Sequence, residues 1–204
     1  MTRRDDDLDI EERVVIFFDI CSSSAILEDL LATNNVKVFR NLLISLKSHL
    51  RTQSSTGVFT PYKFIGDGWV ILCPLDVSGP ALVNFLIRLS EVFSTKFRTQ
   101  VVPLLQSKPE VTGLTFGVDK GPLVKIEMNG QQEYIGRPLN VASRLQGAIK
   151  DKDDSPAYKV LFTKHAFHAL ELENSQYKCK PAKRRLRNIW NNQEITLMKL
   201  WLPI

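Results

Sequence analysis

Two aspartates stand where the chain changes direction. Asp19 closes the run Val14-Val15-Ile16-Phe17-Phe18, a short β-branched and aromatic segment that reads as a strand buried on both faces. Asp67 lies within Gly66-Asp67-Gly68, between the strand-like segments 56–63 and 69–73, and reads as the tip of a β-hairpin. Two carboxylates on adjacent strand ends can hold a hard cation such as Mg²⁺ or Mn²⁺ together with substrate phosphates. The flanking glycines let the backbone come close to a bulky ligand. By residue type alone, a turn aspartate and a capping aspartate account for the same pattern. Asn140 and Arg144 form a second pair. At i and i+4 on a helix over 140–149, they project from one face. Cys21-Ser22-Ser23-Ser24 is a third feature: it opens a helix whose N–H groups and dipole suit an anion, and the serines supply N-cap chemistry as well.

The elements that must position these residues follow from periodicity. Ile26, Leu27, Leu30 and Leu31 mark the helix after the serines, and Phe39, Leu42, Leu43, Leu46 and Leu50 mark a second over 36–50. Leu82, Phe85, Leu86, Leu89 and Phe93 mark a third, ending near Phe97. Segments 114–118 and 123–127 read as a strand pair around Asp119-Lys120-Gly121-Pro122, and 150–156 as a charged linker loop. A strand (158–162), a short helix (163–170) and two closing strands ending in 195–201 complete the chain. The order β, α, β, β, α, β with hairpins predicts an α+β fold: a ferredoxin-like βαββαβ core with a mostly antiparallel sheet covered by helices.

Composition narrows the class. The 204 residues are 44% hydrophobic and 24% charged, which predicts one soluble domain and excludes disorder, collagen and coiled coil. Residues 1–12, rich in Asp and Glu, are expected to form a disordered acidic tail ahead of a single domain over 13–204. No apolar run approaches membrane-spanning length and no signal sequence is recognisable, and the three cysteines (Cys21, Cys73, Cys179) lack metal-ligand spacing. A cytoplasmic protein with free thiols is expected. The net charge of +5 predicts an anionic partner. Lys178, Lys180, Lys183, Arg184, Arg185 and Arg187 concentrate it, but without interleaved aromatics or helical amphipathicity, which argues against nucleic acid and membrane. His165 and His168 lack a third ligand nearby and read as structural or exposed, and Trp69, Trp190 and Trp201 as packing residues.

Three segments in order, Val15-Ile16-Phe17-Phe18-Asp19-Ile20, Lys63-Phe64-Ile65-Gly66-Asp67 and Tyr134-Ile135-Gly136-Arg137-Pro138-Leu139-Asn140-Val141-Ala142-Ser143-Arg144-Leu145, resemble the class III nucleotide cyclase catalytic domain. The resemblance runs from Arg13 to about Ile149. It implies conversion of a nucleoside triphosphate into the 3′,5′-cyclic nucleotide and pyrophosphate. Asp19, Asp67 and the Ile20 carbonyl would bind two divalent metal ions, Mn²⁺ or Mg²⁺. Asn140 would orient the ribose, and Arg144 would stabilise charge at the α-phosphate. Ser22, Ser23 and Ser24 would cradle the triphosphate, joined by Arg185 or Arg187 from the basic run. The family further implies a head-to-tail homodimer whose active sites lie at the interface, with the metals on one subunit and Lys63, Glu133, Asn140 and Arg144 from the other.

The same resemblance makes Lys63 and Glu133 the base-reading pair. The family's adenylate cyclases have Lys with Asp or Thr at these positions, and its guanylate cyclases use Glu and Cys-like residues. Here the Lys is kept and Glu133 departs. A Lys donor beside a Glu acceptor serves N1 and N6 of adenine, but also uracil or cytosine. Around the motifs, Cys21-Ser22-Ser23-Ser24 stands in place of the usual glycine and phenylalanine, and Gly68-Trp69 and Glu133-Tyr134 are also unusual. These features resemble the stand-alone pyrimidine cyclases of bacterial antiphage defence, which signal to a separate effector chain with cyclic UMP or cyclic CMP. UTP is placed ahead of CTP, an adenylate cyclase is the alternative, and a degenerate cyclase-like regulatory module is a further one. A nucleic-acid-binding domain would instead show steeply salt-dependent binding.

Overall fold

The computed structural model describes residues 8–54, 57–150, 155–173 and 176–204. In chain order the elements are β1 (Asp9–Ile20), α1 (Ser23–Ala32), α2 (Val36–Ser54), β2 (Thr60–Ile65), β3 (Gly68–Pro74), α3 (Gly79–Lys96), β4 (Leu114–Met128), β5 (Gln131–Ile135), α4 (Arg137–Lys150), β6 (Lys159–Phe162), α5 (Lys164–Ala169), β7 (Cys179–Arg185) and β8 (Glu194–Trp201). They build one sheet in the order β2-β3-β1-β4-β6-β8-β7, with β5 added to β4. Among the described residues only β4 and β6 pair parallel. This is the expected α+β arrangement, a mostly antiparallel sheet covered by helices.

The central strand β1 is apolar from Val14 to Phe18 because both faces of that stretch are covered. Val14, Ile16, Phe18 and Ile20 point into the main core beside Leu30, Leu42, Leu46, Leu86 and Phe93 from α1, α2 and α3. Val15 and Phe17 point the other way, into a cluster with Val70, Leu72 and Ala142 beneath α4. Each such side chain, fully buried, contributes on the order of 1.5–3 kcal/mol. A third cluster, Val141, Leu145, Leu161, Ala182, Leu186 and Leu197, fastens α4 to β6, β7 and β8. Gly117 permits this docking: a Cβ there would lie 2.0 Å from the Ala142 carbonyl oxygen and 2.6 Å from the Gln146 nitrogen.

Several boundaries differ from those expected. Residues 9–12, assigned to a tail, are strand: Asp9 to Glu12 pair with Lys125 to Pro122 of β4. The register places Asp9 beside Lys125 at 3.6 Å, and Glu11 accepts from Arg13 at 2.8 Å, so the charges sit on a paired edge rather than in a loose segment. The remainder of the expected tail, 1–7, lies outside the described residues, as does 151–154 of the expected linker. The expected turn at 119–122 does not form, and β4 runs unbroken for 15 residues. Gly121 continues the strand at φ 151°, a conformation that favours glycine, and Asp119 is buried within the strand. Leu31, assigned to the core stripe of α1, is exposed. Segment 123–127, expected to pair with 114–118, instead continues β4 and pairs with β5, Val124 to Met128 lying opposite Ile135 to Gln131.

Candidate functional site

Strand register brings the two aspartates together. The β1–β3 ladder ends with Phe18 opposite Trp69, so Asp19 comes level with Gly68 and beside the turn that carries Asp67. Gly68 makes the closeness possible, since a Cβ there would lie 2.2 Å from the Phe18 carbonyl oxygen and 3.3 Å from the Asp19 Cα. Asp67 Oδ2 is buried and has no hydrogen-bond partner among the described residues. A carboxylate oxygen turned inward without a donor is costly unless a cation completes it, so the residues present fit a divalent metal. Among the described residues no group of three or more His, Cys, Asp or Glu is placed to hold a metal. A metal on this pair must therefore draw further oxygens from backbone and substrate, which suits Mg²⁺ or Mn²⁺ bound with a polyphosphate.

Asp19 is itself held from α4. Its main chain pairs with Thr115 of β4, whose hydroxyl lies 3.5 Å from the Asp19 carbonyl oxygen. The Gln146 amide nitrogen donates to Thr115 Oγ1 at 2.6 Å and to Asp19 Oδ2 at 3.5 Å. Neither Gln146 nor Thr115 is among the expected site residues. Gln146 follows Ala142 by one turn on the buried face of α4, and a polar residue on an apolar stripe is the signal that could have found it.

A separate cavity of about 380 Å³ gathers Lys63, Glu133 and Asn140 with Phe17, Tyr62 and Tyr134. Here β5 supplies Glu133, β2 supplies Lys63, and α4 supplies Asn140. Lys63 Nζ donates to both Glu133 oxygens, at 3.0 and 2.9 Å. The Tyr62 hydroxyl also donates to Glu133 Oε2 and accepts from the Tyr134 N–H at 2.9 Å. The Tyr62 bond and then the Lys63 ammonium hold the Glu133 carboxyl below its ordinary pKa, and the same contact raises that of Lys63. Tyr62 was not anticipated, because alternation puts neighbours on opposite faces of a strand. A register shift between Pro61 and Lys63 turns Tyr62 toward the same cavity as Lys63.

Arg144 is exposed on α4, one turn beyond Asn140, and does not line this cavity. At α1, the expected serine cap takes another form. Ser22 adopts a left-handed conformation (φ 57°), makes no side-chain cap, and donates through Oγ to the Val111 carbonyl at 2.7 Å. The left-handed turn carries the hydroxyl away from the helix and leaves the first-turn N–H groups without a cap from Ser22, with Ser23 half-buried and Ser24 exposed.

The basic run divides by contact. Lys178 and Lys180 stand over the Trp201 ring, at 5.5 and 5.1 Å, and Lys183 lies 3.7 Å from Glu194. Arg184 donates to the Ala148 carbonyl of α4 at 3.2 Å. Arg185 and Arg187 are exposed, on the segment whose Ala182 and Leu186 pack against α4. Trp69 packs against Phe18 and Phe64 as expected. Trp190 does not pack inward: it is 37% exposed, with the Arg137 guanidinium 4.4 Å from its ring centre. His165 and His168 are exposed on α5, and His168 contacts Glu173. No helix among the described residues is long and apolar enough to cross a membrane.

No protein-family model matches the sequence, and no curated protein matches it. Solved structures do. The adenylyl cyclase CyaB from P. aeruginosa superposes with a TM-score of 0.71 at 16% identity, over 95% of each chain. The guanylyl cyclase Cya2 gives 0.70 at 13% identity, over 95% of this chain and 93% of that one. Adenylate cyclases from Trypanosoma brucei, in their monomeric state, give 0.65 at 17% identity, over 94% and 89%. Across nearly its whole length, the chain has the fold of the class III adenylyl and guanylyl cyclase catalytic domains.

Proposed function

We propose that the protein is a nucleotide cyclase that acts as a head-to-tail homodimer with sites shared between two copies. The observation that carries this reading is the pair of half-sites in one chain: two carboxylates at the ends of β1 and the β2–β3 hairpin, one of them with a buried oxygen that has no hydrogen-bond partner among the described residues, and a base-sized cavity carrying a donor, an acceptor and Asn140. In the dimer, Asp19, Asp67 and the Ile20 carbonyl of one copy face Lys63, Glu133, Asn140 and Arg144 of the other. The ribose 3′-hydroxyl gives up its proton to solvent, its oxygen bonds to the α-phosphorus as the bond to the bridging oxygen of the β-phosphate breaks, and pyrophosphate leaves. Asp19 and Asp67 would hold two divalent ions, which would supply acidity for the 3′-hydroxyl and neutralise phosphate charge. Asn140 holds the ribose, and Arg144 donates to the α-phosphate oxygens where charge builds, a role worth on the order of 10²-fold or more in rate. Ser22, Ser23 and Ser24 at the start of α1 and Arg185 or Arg187 hold the remaining phosphates.

For the base we favour a pyrimidine, UTP ahead of CTP. Phe17, Tyr62 and Tyr134 crowd the cavity, and the Lys63–Glu133 pair meets O4 and N3–H of uracil. A cyclic pyrimidine released as an antiviral signal to a separate effector, in the cytoplasm, is the role that goes with this choice. An adenylate cyclase is the second reading, since the same pair meets N1 and N6 of adenine. Incubation with Mn²⁺ and each of ATP, GTP, CTP and UTP separately, with mass analysis of the products, decides between them. A dominant cyclic purine overturns the pyrimidine choice, and no cyclic product from any of the four overturns the cyclase reading.

A further inference from the structure

Gln146 occupies an unusual position for a polar residue. It lies on the inner face of α4, 5% exposed, among Ala142, Leu145 and Ile149, which are buried as well. Its amide nitrogen reaches two acceptors from different strands: Thr115 Oγ1 of β4 at 2.6 Å and Asp19 Oδ2 of β1 at 3.5 Å. Thr115 is fully buried and, through its hydroxyl, faces the Asp19 carbonyl oxygen. The absence of a side chain at Gly117, two residues along the same face of β4, sets how closely Gln146 approaches. A longer residue at 117 would lift α4 and withdraw the amide from both acceptors.

The contact joins two parts of the proposed site. Asp19 is one of the carboxylates that fit a metal, whereas Asn140 and Arg144 stand on the outer side of the helix that carries Gln146. A donor on one carboxylate oxygen fixes the rotation of the group and hence the direction in which it offers its electrons to a cation. A metal that draws Asp19 toward itself draws on Gln146, and α4 is a rigid element through which that pull reaches Asn140 and Arg144.

We propose that Gln146 is a positioning residue that orients the Asp19 carboxylate for the metal and couples metal binding to the setting of α4. The proposal rests on the cyclase reading and goes beyond it. With sites shared between copies, the Asp19 and Arg144 of one chain serve different active sites, so this contact is also a route from one site to the other. Linkage makes the coupling mutual: whatever factor metal binding imposes on nucleotide affinity, nucleotide imposes on metal affinity.

The test measures Mn²⁺ binding directly, by the electron paramagnetic resonance signal of free Mn²⁺, on wild-type protein and on Asp19→Ala, Gln146→Met, Gln146→Leu and Thr115→Val. Thermal unfolding is recorded without metal, and cyclic product formation in parallel. Met keeps the length of Gln and removes the donor. Loss of such an outer contact weakens metal binding by about 10- to 100-fold in characterised sites, and that range is expected for Gln146→Met while the protein stays folded. Thr115→Val, which removes the anchor of the amide, is expected to weaken binding in the same direction, and the double variant to be no weaker than Gln146→Met alone. If Gln146→Met fails to fold, Gln146→Leu and Thr115→Val carry the test. Wild-type Mn²⁺ affinity in a folded Gln146 variant overturns the proposal. Wild-type protein that binds no Mn²⁺, or binds it regardless of Asp19→Ala, overturns the metal reading and this proposal together. Mn²⁺ binding that depends on Asp19 and Gln146 without any cyclic product leaves the link standing and sinks the cyclase reading.

Discussion

Replacing Gly68 with alanine tests whether the closeness of the β2–β3 turn to β1 is what makes the carboxylate pair. The backbone at this position is not left-handed, so alanine brings no conformational strain of its own. Its Cβ, however, would lie 2.2 Å from the Phe18 carbonyl oxygen, where real Cβ contacts do not come under 3.0 Å, so the turn must retreat by at least 0.8 Å. The obstructing atom is backbone in the middle of the sheet and cannot swing aside. Asp67, one residue away, moves with the turn and leaves Asp19. Overpacking of this kind costs roughly 1–3 kcal/mol of stability, which an ordinary domain survives. A displacement of ~1 Å at a reacting centre costs on the order of 100-fold in rate. Gly68→Ala is therefore expected to remain folded by circular dichroism, with cyclic product formation down about 100-fold at saturating nucleotide and weaker Mn²⁺ binding. A folded Gly68→Ala protein with wild-type turnover and Mn²⁺ affinity would refute the argument that this approach builds the site.

Other outcomes can be stated briefly. Asp19→Ala and Arg144→Ala proteins are each expected to be inactive, and an equal mixture that exchanges subunits to recover roughly a quarter of wild-type activity through one intact site per mixed dimer; a mixture that stays inactive despite exchange removes the shared-site model. Tyr62→Phe takes one donor from Glu133, and an increase of about 3- to 10-fold in KM for the preferred nucleotide with kcat nearly unchanged is expected. Burial raises the Asp119 carboxyl above its unfolded value of 3.8, although Thr163 donates to Oδ1. The folded state then holds its proton to higher pH than the unfolded state, so this group's contribution to stability declines as pH rises from 3.8 through the folded value. Asp119→Asn removes that decline, and urea unfolding should find the variant gaining on the wild type between pH 4 and pH 7; an equal difference at both pH values counts against it.

The positions of Asp19, Asp67, Asn140 and Arg144 could be placed on elements from residue order because each rests on a short-range signal: a doubly buried strand, a glycine turn, a helical repeat. The relations among those elements were less accessible. Nothing local distinguishes Asp119-Lys120-Gly121-Pro122 from a turn; β4 continues through it because β1 runs alongside as far as Asp9 and offers a full set of partners. Asp9 to Glu12 read as solvated charge for the same reason, their partners lying more than a hundred residues away. Ser22 has the chemistry of a cap and is diverted by the Val111 carbonyl, a contact across 89 residues. Tyr62 is hidden by a one-residue irregularity in register, and Gln146 by partners, Thr115 and Asp19, that lie 31 and 127 residues away.

The clasp of Tyr62, Lys63 and Glu133 has a consequence for how a ligand arrives. Lys63 and Glu133 cancel each other at 2.9 Å, so the cavity they line shows little net field to a distant anion. The excess positive charge of the chain must act elsewhere; Arg144, Arg185 and Arg187 are exposed, and under the proposed cyclase function they are where a triphosphate would meet it. Attraction at the rim weakens with ionic strength over the Debye length, about 10 Å at 0.1 M salt, whereas discrimination inside the clasp depends on contacts at hydrogen-bond distance. Salt should then slow the capture of all four nucleoside triphosphates alike and leave the ranking among them unchanged.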